Sequence, residues 1–127
     1  MVSTFKAHQT FSEEKTFIII YVETKTTLET IENLMNMVEL AVFVEQVDYS
    51  EYPIYLEEVA YPVYLELVRD RLKNSFYRRL DSVKFDLDLI RLNAMAFNTE
   101  GSFIHTFAEQ HMKDLLNFNP ENFEAGI

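Results

Sequence analysis

Leu80-Asp81-Ser82-Val83-Lys84-Phe85-Asp86-Leu87-Asp88-Leu89-Ile90-Arg91-Leu92-Asn93-Ala94-Met95-Ala96-Phe97 runs without a glycine or proline. Leu80, Val83, Leu87, Ile90, Ala94 and Phe97 recur at three and four and form one apolar stripe, while Phe85, Leu89 and Leu92 widen it toward a second face. That pattern predicts a central helix. Asn98-Thr99-Glu100-Gly101 breaks it, and Ser102 is placed to cap a following helix that turns Ile104, Phe107, Ala108, His111, Met112 and Leu115 inward. Upstream, the connector Ser75 to Arg79 separates the central helix from one that starts near Pro62 and carries Leu65, Val68 and Leu72 on one face, with Lys73 and Asn74 at its end. Earlier still, Thr26 and Glu29 have capping-box spacing, and Leu28, Ile31, Leu34, Met35 and Val38 predict a helix from Thr26 to Ala41. Between Val42 and Pro62 the period is lost, and Pro53 and Pro62 disfavour helix just before them. A connection that long and that rich in Val, Ile, Leu and Tyr is expected to fold down and bury its own side chains. Four amphipathic helices with one long loop make an all-α four-helix bundle the expected fold.

The rest of the chain sets limits. Its 127 residues suit one domain with a core of its own. Two glycines and three prolines leave few sharp turns, which disfavours an all-β fold. The absence of cysteine removes disulfides, thiolate metal sites and cysteine nucleophiles. A formal net charge of −10 makes direct nucleic-acid binding unexpected, because such a surface repels phosphates. The apolar run Phe17 to Val22 is far short of the roughly 20 residues of a membrane span, and Glu13 and Glu14 ahead of it are unlike a signal peptide, so no membrane partner is expected. That run has strand-like composition within a lead-in of residues 1–25, ahead of a bundle spanning 26–119 and a tail of 120–127. Charge is uneven: no Lys or Arg lies between Lys25 and Arg69, where Glu29, Glu32, Glu39, Glu45, Asp48, Glu51, Glu57, Glu58 and Glu66 fall. Arg69, Arg71, Lys73, Arg78 and Arg79 gather instead near the connector. The acidic loop is either a solvated surface or a face for a basic partner.

No catalytic constellation stands out. His105 and His111 are six apart, not the three or four that would put two ligands on one helical face, and Asp86 and Asp88 point in different directions as exposed charges. No enzyme activity, metal or cofactor is expected. From spacing alone Asn98 reads as a left-handed helix cap, and Phe43, Tyr49, Tyr52, Tyr55 and Tyr61 as loop packing.

The motifs together resemble a family. Tyr52-Pro53-Ile54-Tyr55 in the loop, a second Tyr61-Pro62, an aromatic connector and a helix ending Asn93-Ala94-Met95-Ala96-Phe97-Asn98 are similar to a bromodomain over roughly Thr26 to Phe118. Val59-Ala60-Tyr61-Pro62, Asn74-Ser75-Phe76-Tyr77-Arg78-Arg79-Leu80 and Phe97-Asn98 resemble the first bromodomain of the WD-repeat bromodomain proteins, the group that includes pleckstrin-homology-domain-interacting protein. The resemblance implies a left-handed bundle and a nuclear reader of acetylated lysine on histone tails or other chromatin proteins, monomeric as an isolated domain. Carried over by position, it makes Asn98 the holder of the acetyl carbonyl and Tyr55 its water-mediated contact. Phe43 and Val47 become the loop side, Phe97 replaces the usual tyrosine beside the asparagine, and Ile104 becomes the gatekeeper. It also suggests that Phe17 to Val22 belongs to a Tudor-like element.

Two departures matter. Pro62-Val63-Tyr64-Leu65 lacks the family's aspartate ahead of the second helix, a loss of about 1 kcal/mol on the usual capping scale. Val42-Phe43-Val44 stands where the family has Trp-Pro-Phe, which suggests a shallower groove beside the pocket. A helical interaction module that has lost acetyl-lysine affinity, with the acidic surface doing the binding, is the competing reading.

Overall fold

The computed structural model describes residues 24–117, all helix, turn and loop with no strand among them. Four helices form the bundle: α1 (residues 24–35), α2 (Leu65–Lys73), α3 (Leu80–Phe97) and α4 (103–115, with a π turn at Ala108–Met112). The strand-like run Phe17 to Val22, the Tudor-like suggestion and most of the lead-in and tail lie outside the described residues.

The stripe on α3 is the spine of the core. Val83, Leu87, Ile90 and Ala94 are buried and meet Leu65, Val68 and Leu72 of α2 and Ala108 and Met112 of α4. Burying each large side chain contributes about 1.5–3 kcal/mol, so this shared face outweighs local preferences of a few tenths per residue. Of the second face predicted for α3 only Leu89 packs against the core, while Phe85 is 66% and Leu92 44% exposed. On α4 the wider π turn keeps Ala108, Met112 and Leu116 in line toward the core and rotates His111 outward, where it leans on Phe107.

The first helix ends earlier than its periodicity predicts. It is already helical at residue 24, so Thr26 and Glu29 form no capping box, and the Thr26 carbonyl accepts a bond from the Thr30 hydroxyl. It stops at 35, Met37 turns extended (φ −77°, ψ 128°), and a separate 3-10 turn covers Val38–Phe43. The change of direction buries Leu40 completely and leaves Val38 84% exposed. That burial is worth about 2 kcal/mol, more than further exposed helical residues return.

Pro62 precedes α2 instead of sitting in its first turn, because Tyr64 is the extended N-cap and makes no side-chain cap bond. The aspartate of the family is indeed missing there. A loop carbonyl substitutes in part: Val44 accepts from the Glu66 N–H at 3.0 Å and so ties the loop to the start of α2. At the other end Ser75 takes a left-handed backbone (φ 56°) while its N–H bonds Leu72 and the Phe76 N–H bonds Arg71, the pattern that usually employs glycine. Ser75→Gly is therefore expected to stabilise the domain by about 0.5–1 kcal/mol, read as a rise in melting temperature of roughly 3–6 °C.

Asp86 is buried, not an exposed charge. Its Oδ2 accepts from Arg71 Nη1 at 2.8 Å and from the Tyr77 hydroxyl at 2.6 Å, and the Arg71 guanidinium lies 4.5 Å over the Phe76 ring. Burial first, then the bond to Asp86, pushes the Tyr77 phenol far above its ordinary value, which keeps it a donor. This cluster joins the end of α2, the connector and the first half of α3. Asp86 is twelve residues before Asn98, so the cluster lies roughly 18 Å along α3 from that end of the bundle.

Candidate functional site

The C-terminal end of α3, the start of α4 and the long loop enclose an open cavity of about 400 Å³. All six residues singled out in the sequence line it: Phe43, Val47 and Tyr55 from the loop, Phe97 and Asn98 from the end of α3, and Ile104 from α4. The loop is more ordered than its lack of period suggests. After the 3-10 turn, Asp48 closes a tight turn by accepting from the Ser50 hydroxyl and N–H, and Tyr55–Glu58 form a single helical turn.

Asn98 ends α3 but not as a left-handed cap. Its backbone is extended (φ −91°, ψ 143°), because the chain leaves the helix directly toward the turn at Gly101 (φ 89°). Its side chain folds back, and Nδ2 donates to the Ala94 carbonyl at 2.8 Å. A carboxamide nitrogen carries two hydrogens, so this bond fixes the rotamer while leaving a second donor hydrogen and the side-chain oxygen for a ligand.

Tyr55 is the second polar group of the cavity. Only 7% exposed, it stacks on Tyr49 (6.1 Å between ring centres) and meets Phe97 edge-on at 4.8 Å, while Tyr52 meets the same phenylalanine at 6.0 Å. Its hydroxyl makes no hydrogen bond to a described residue. No sealed side-chain oxygen or nitrogen among those residues lacks a partner, so this hydroxyl opens onto the cavity. Burial, and then Tyr49, raise its pKa, which keeps it protonated and able both to donate and to accept.

Sequence reasoning missed three things here. Asn93 Nδ2 donates to the Tyr61 carbonyl at 2.8 Å and pins the second Tyr-Pro segment against α3. Tyr52 braces Phe97. Glu45, Asp48 and Glu51 line the cavity, so part of the acidic loop faces it. The signal for the last was present, since nine acidic residues and no basic one lie between Lys25 and Arg69, but charge counting does not say which way a loop folds. Ser50, whose hydroxyl and N–H bond Asp48, holds that carboxyl below its usual range.

Nothing else in the described residues suggests chemistry. No group of three His, Cys, Asp or Glu is placed to hold a metal ion, and no helix is long and apolar enough to cross a membrane.

Comparison with known proteins bears on the same segment. A profile of the bromodomain family matches residues 25–110. A bromodomain and WD repeat-containing protein of Dictyostelium discoideum is 32% identical over 89 residues, 64% of this chain and 4% of its own length. Bromodomain and PHD finger-containing protein 3 of Homo sapiens is 34% identical over 74 residues, 58% of this chain and 6% of its own length. Chromatin structure-remodeling complex subunit snf21 of Schizosaccharomyces pombe is 32% identical over 68 residues, 54% of this chain and 6% of its own length. The chain thus corresponds to a small part of these relatives. Among solved structures, the Trypanosoma cruzi bromodomain BDF2 superposes with a TM-score of 0.61 at 22% identity, covering 68% of this chain and 80% of that one. The shared fold is a left-handed four-helix bundle.

Proposed function

The chain belongs to the bromodomain family, a family of acetyl-lysine-reading modules, and from that membership we propose that its cavity binds acetylated lysine on histone tails or other chromatin proteins in the nucleus. The observation that carries the reading is Asn98: one Nδ2 hydrogen is committed to Ala94 and the other is left for a ligand, at the edge of a cavity whose lining is apolar and aromatic apart from Gln46 and the exposed acids Glu45, Asp48 and Glu51.

The chemistry follows from what acetylation changes. A lysine ammonium has only donors, whereas the acetylated side chain is a neutral amide with a carbonyl acceptor. In the proposed pose that carbonyl accepts from Asn98 Nδ2, and the Tyr55 hydroxyl reaches the same oxygen through a water. Val47, Phe43 and Ile104 then surround the acetyl methyl and the methylene stem. An ammonium in the same place would oppose the Asn98 donor and give up most of its hydration for at most the Asn98 and Tyr55 side-chain oxygens, a cost of several kcal/mol. The cavity therefore selects chiefly by rejecting charge. One side chain buried this way corresponds to affinities between about 1 mM and 1 μM.

Calorimetric titration of matched histone-tail peptides tests this. Acetylated peptides are expected to bind in that range and their unmodified forms at least about tenfold more weakly, the factor that 1.4 kcal/mol corresponds to. Equal binding of both forms would instead favour a charge-driven interaction module.

A further inference from the structure

The mouth of the cavity has a one-sided electrostatic character. Among the described residues Glu45, Asp48 and Glu51 line it, no Lys, Arg or His does, and none of the three carboxylates is ion-paired. They stand on the same lining as Tyr55, a residue only 7% exposed whose hydroxyl bonds no described residue and opens to that space. The cavity thus offers an interior for a neutral polar group and, beside it, a rim that favours positive charge. A 400 Å³ space is roughly 9 Å across, and an extended chain advances about 3.3 Å per residue, so the rim is met by residues within about three positions of the buried side chain.

We infer that the site reads charge context as well as the mark: it takes an acetyl-lysine whose neighbours within about three residues remain unmodified Lys or Arg, and it disfavours the same segment when those neighbours are acetylated too. The inference rests on the acetyl-lysine reading above and adds a selection against multiply acetylated ligands. Three unpaired carboxylates around one mouth repel each other as well as any acidic residue of a ligand, and a neighbouring cation relieves both effects. Ser50 holds Asp48 in its charged form, so the rim does not lose that carboxylate at mildly acidic pH. Because all three acids are exposed, each pair contributes modestly, and the combined preference is about three- to tenfold.

The test is a titration of the whole chain with short peptides that share one central acetyl-lysine and differ in the neighbours: lysine, acetyl-lysine or glutamine. The lysine-flanked peptide is expected to bind about three- to tenfold more tightly than the other two, and the margin should shrink near 1 M salt, where screening length falls to about 3 Å. In the triple variant Glu45→Gln, Asp48→Asn, Glu51→Gln the three peptides should bind within twofold of each other while acetyl-dependence persists; the conservative Asp48→Asn keeps an acceptor for the Ser50 turn. Equal binding of the three peptides to the unaltered chain, with unmodified peptide still excluded, overturns the charge selection and leaves the acetyl-lysine reading standing. Binding of the lysine-flanked peptide with or without its central acetyl group overturns both.

Discussion

Asn98→Ala is expected to weaken binding of an acetylated peptide roughly 10- to 100-fold, because the acetyl carbonyl would stay buried with its one direct donor removed, a loss of about 1–3 kcal/mol. Starting from affinities between about 1 μM and 1 mM, that moves the Kd to between about 10 μM and 100 mM, a weakening that titration reads directly at the tight end and as loss of signal at the weak end. The same substitution removes the bond from Nδ2 to the Ala94 carbonyl, so a stability loss of about 1 kcal/mol accompanies it. The two effects differ in size, and that difference is diagnostic. A variant that keeps its melting temperature within several degrees but loses the peptide places Asn98 in recognition, whereas one that unfolds places it in the helix end alone.

Asp86→Ala carries the largest expected cost in stability. It removes the acceptor of both Arg71 and Tyr77, leaving a guanidinium and a phenol without the partner around which the connector is folded. Breaking a fully buried pair costs about 3–5 kcal/mol; Arg71 retains 30% side-chain exposure and its contact with Phe76, which reduces the expected loss to about 2–4 kcal/mol. Thermal unfolding should show a drop of roughly 10–20 °C, a large share of the 5–15 kcal/mol typical of a whole domain. Asp86→Asn, which keeps the shape and one acceptor, should lose about half as much. Because the cluster lies far along α3 from the cavity, peptide affinity at a temperature where the variant is folded should stay within about twofold of the original.

These residues also show what periodicity carries and what it does not. Val83, Leu87, Ile90 and Ala94 were readable because a repeat of three and four leaves no other face for them to bury. Asp86 was misread because it was judged by its charge and by its spacing from Asp88. It sits three residues after Val83 and four before Ile90, within the buried stripe, and the aromatic and basic connector was the sign that partners were available. Thr26 and Glu29 matched a cap signature in a helix that is already formed at residue 24, since short side-chain patterns do not fix where a helix begins. For the site, Asn98, Tyr55, Phe43, Val47, Phe97 and Ile104, which the resemblance singled out, line one cavity. The extended backbone of Asn98, the brace from Tyr52 and the inward turn of Glu45, Asp48 and Glu51 depend on long-range closure of the loop, which has no period to read.

The most direct measurement is a crystal structure of the chain bound to an acetylated lysine peptide. The account predicts the acetyl carbonyl within about 3 Å of Asn98 Nδ2, the bond from that nitrogen to Ala94 retained, and the acetyl methyl among Phe43, Val47 and Ile104. A ligand seated only on the acidic exterior, or an Asn98 side chain turned away with the loop aromatics filling the space, would contradict it.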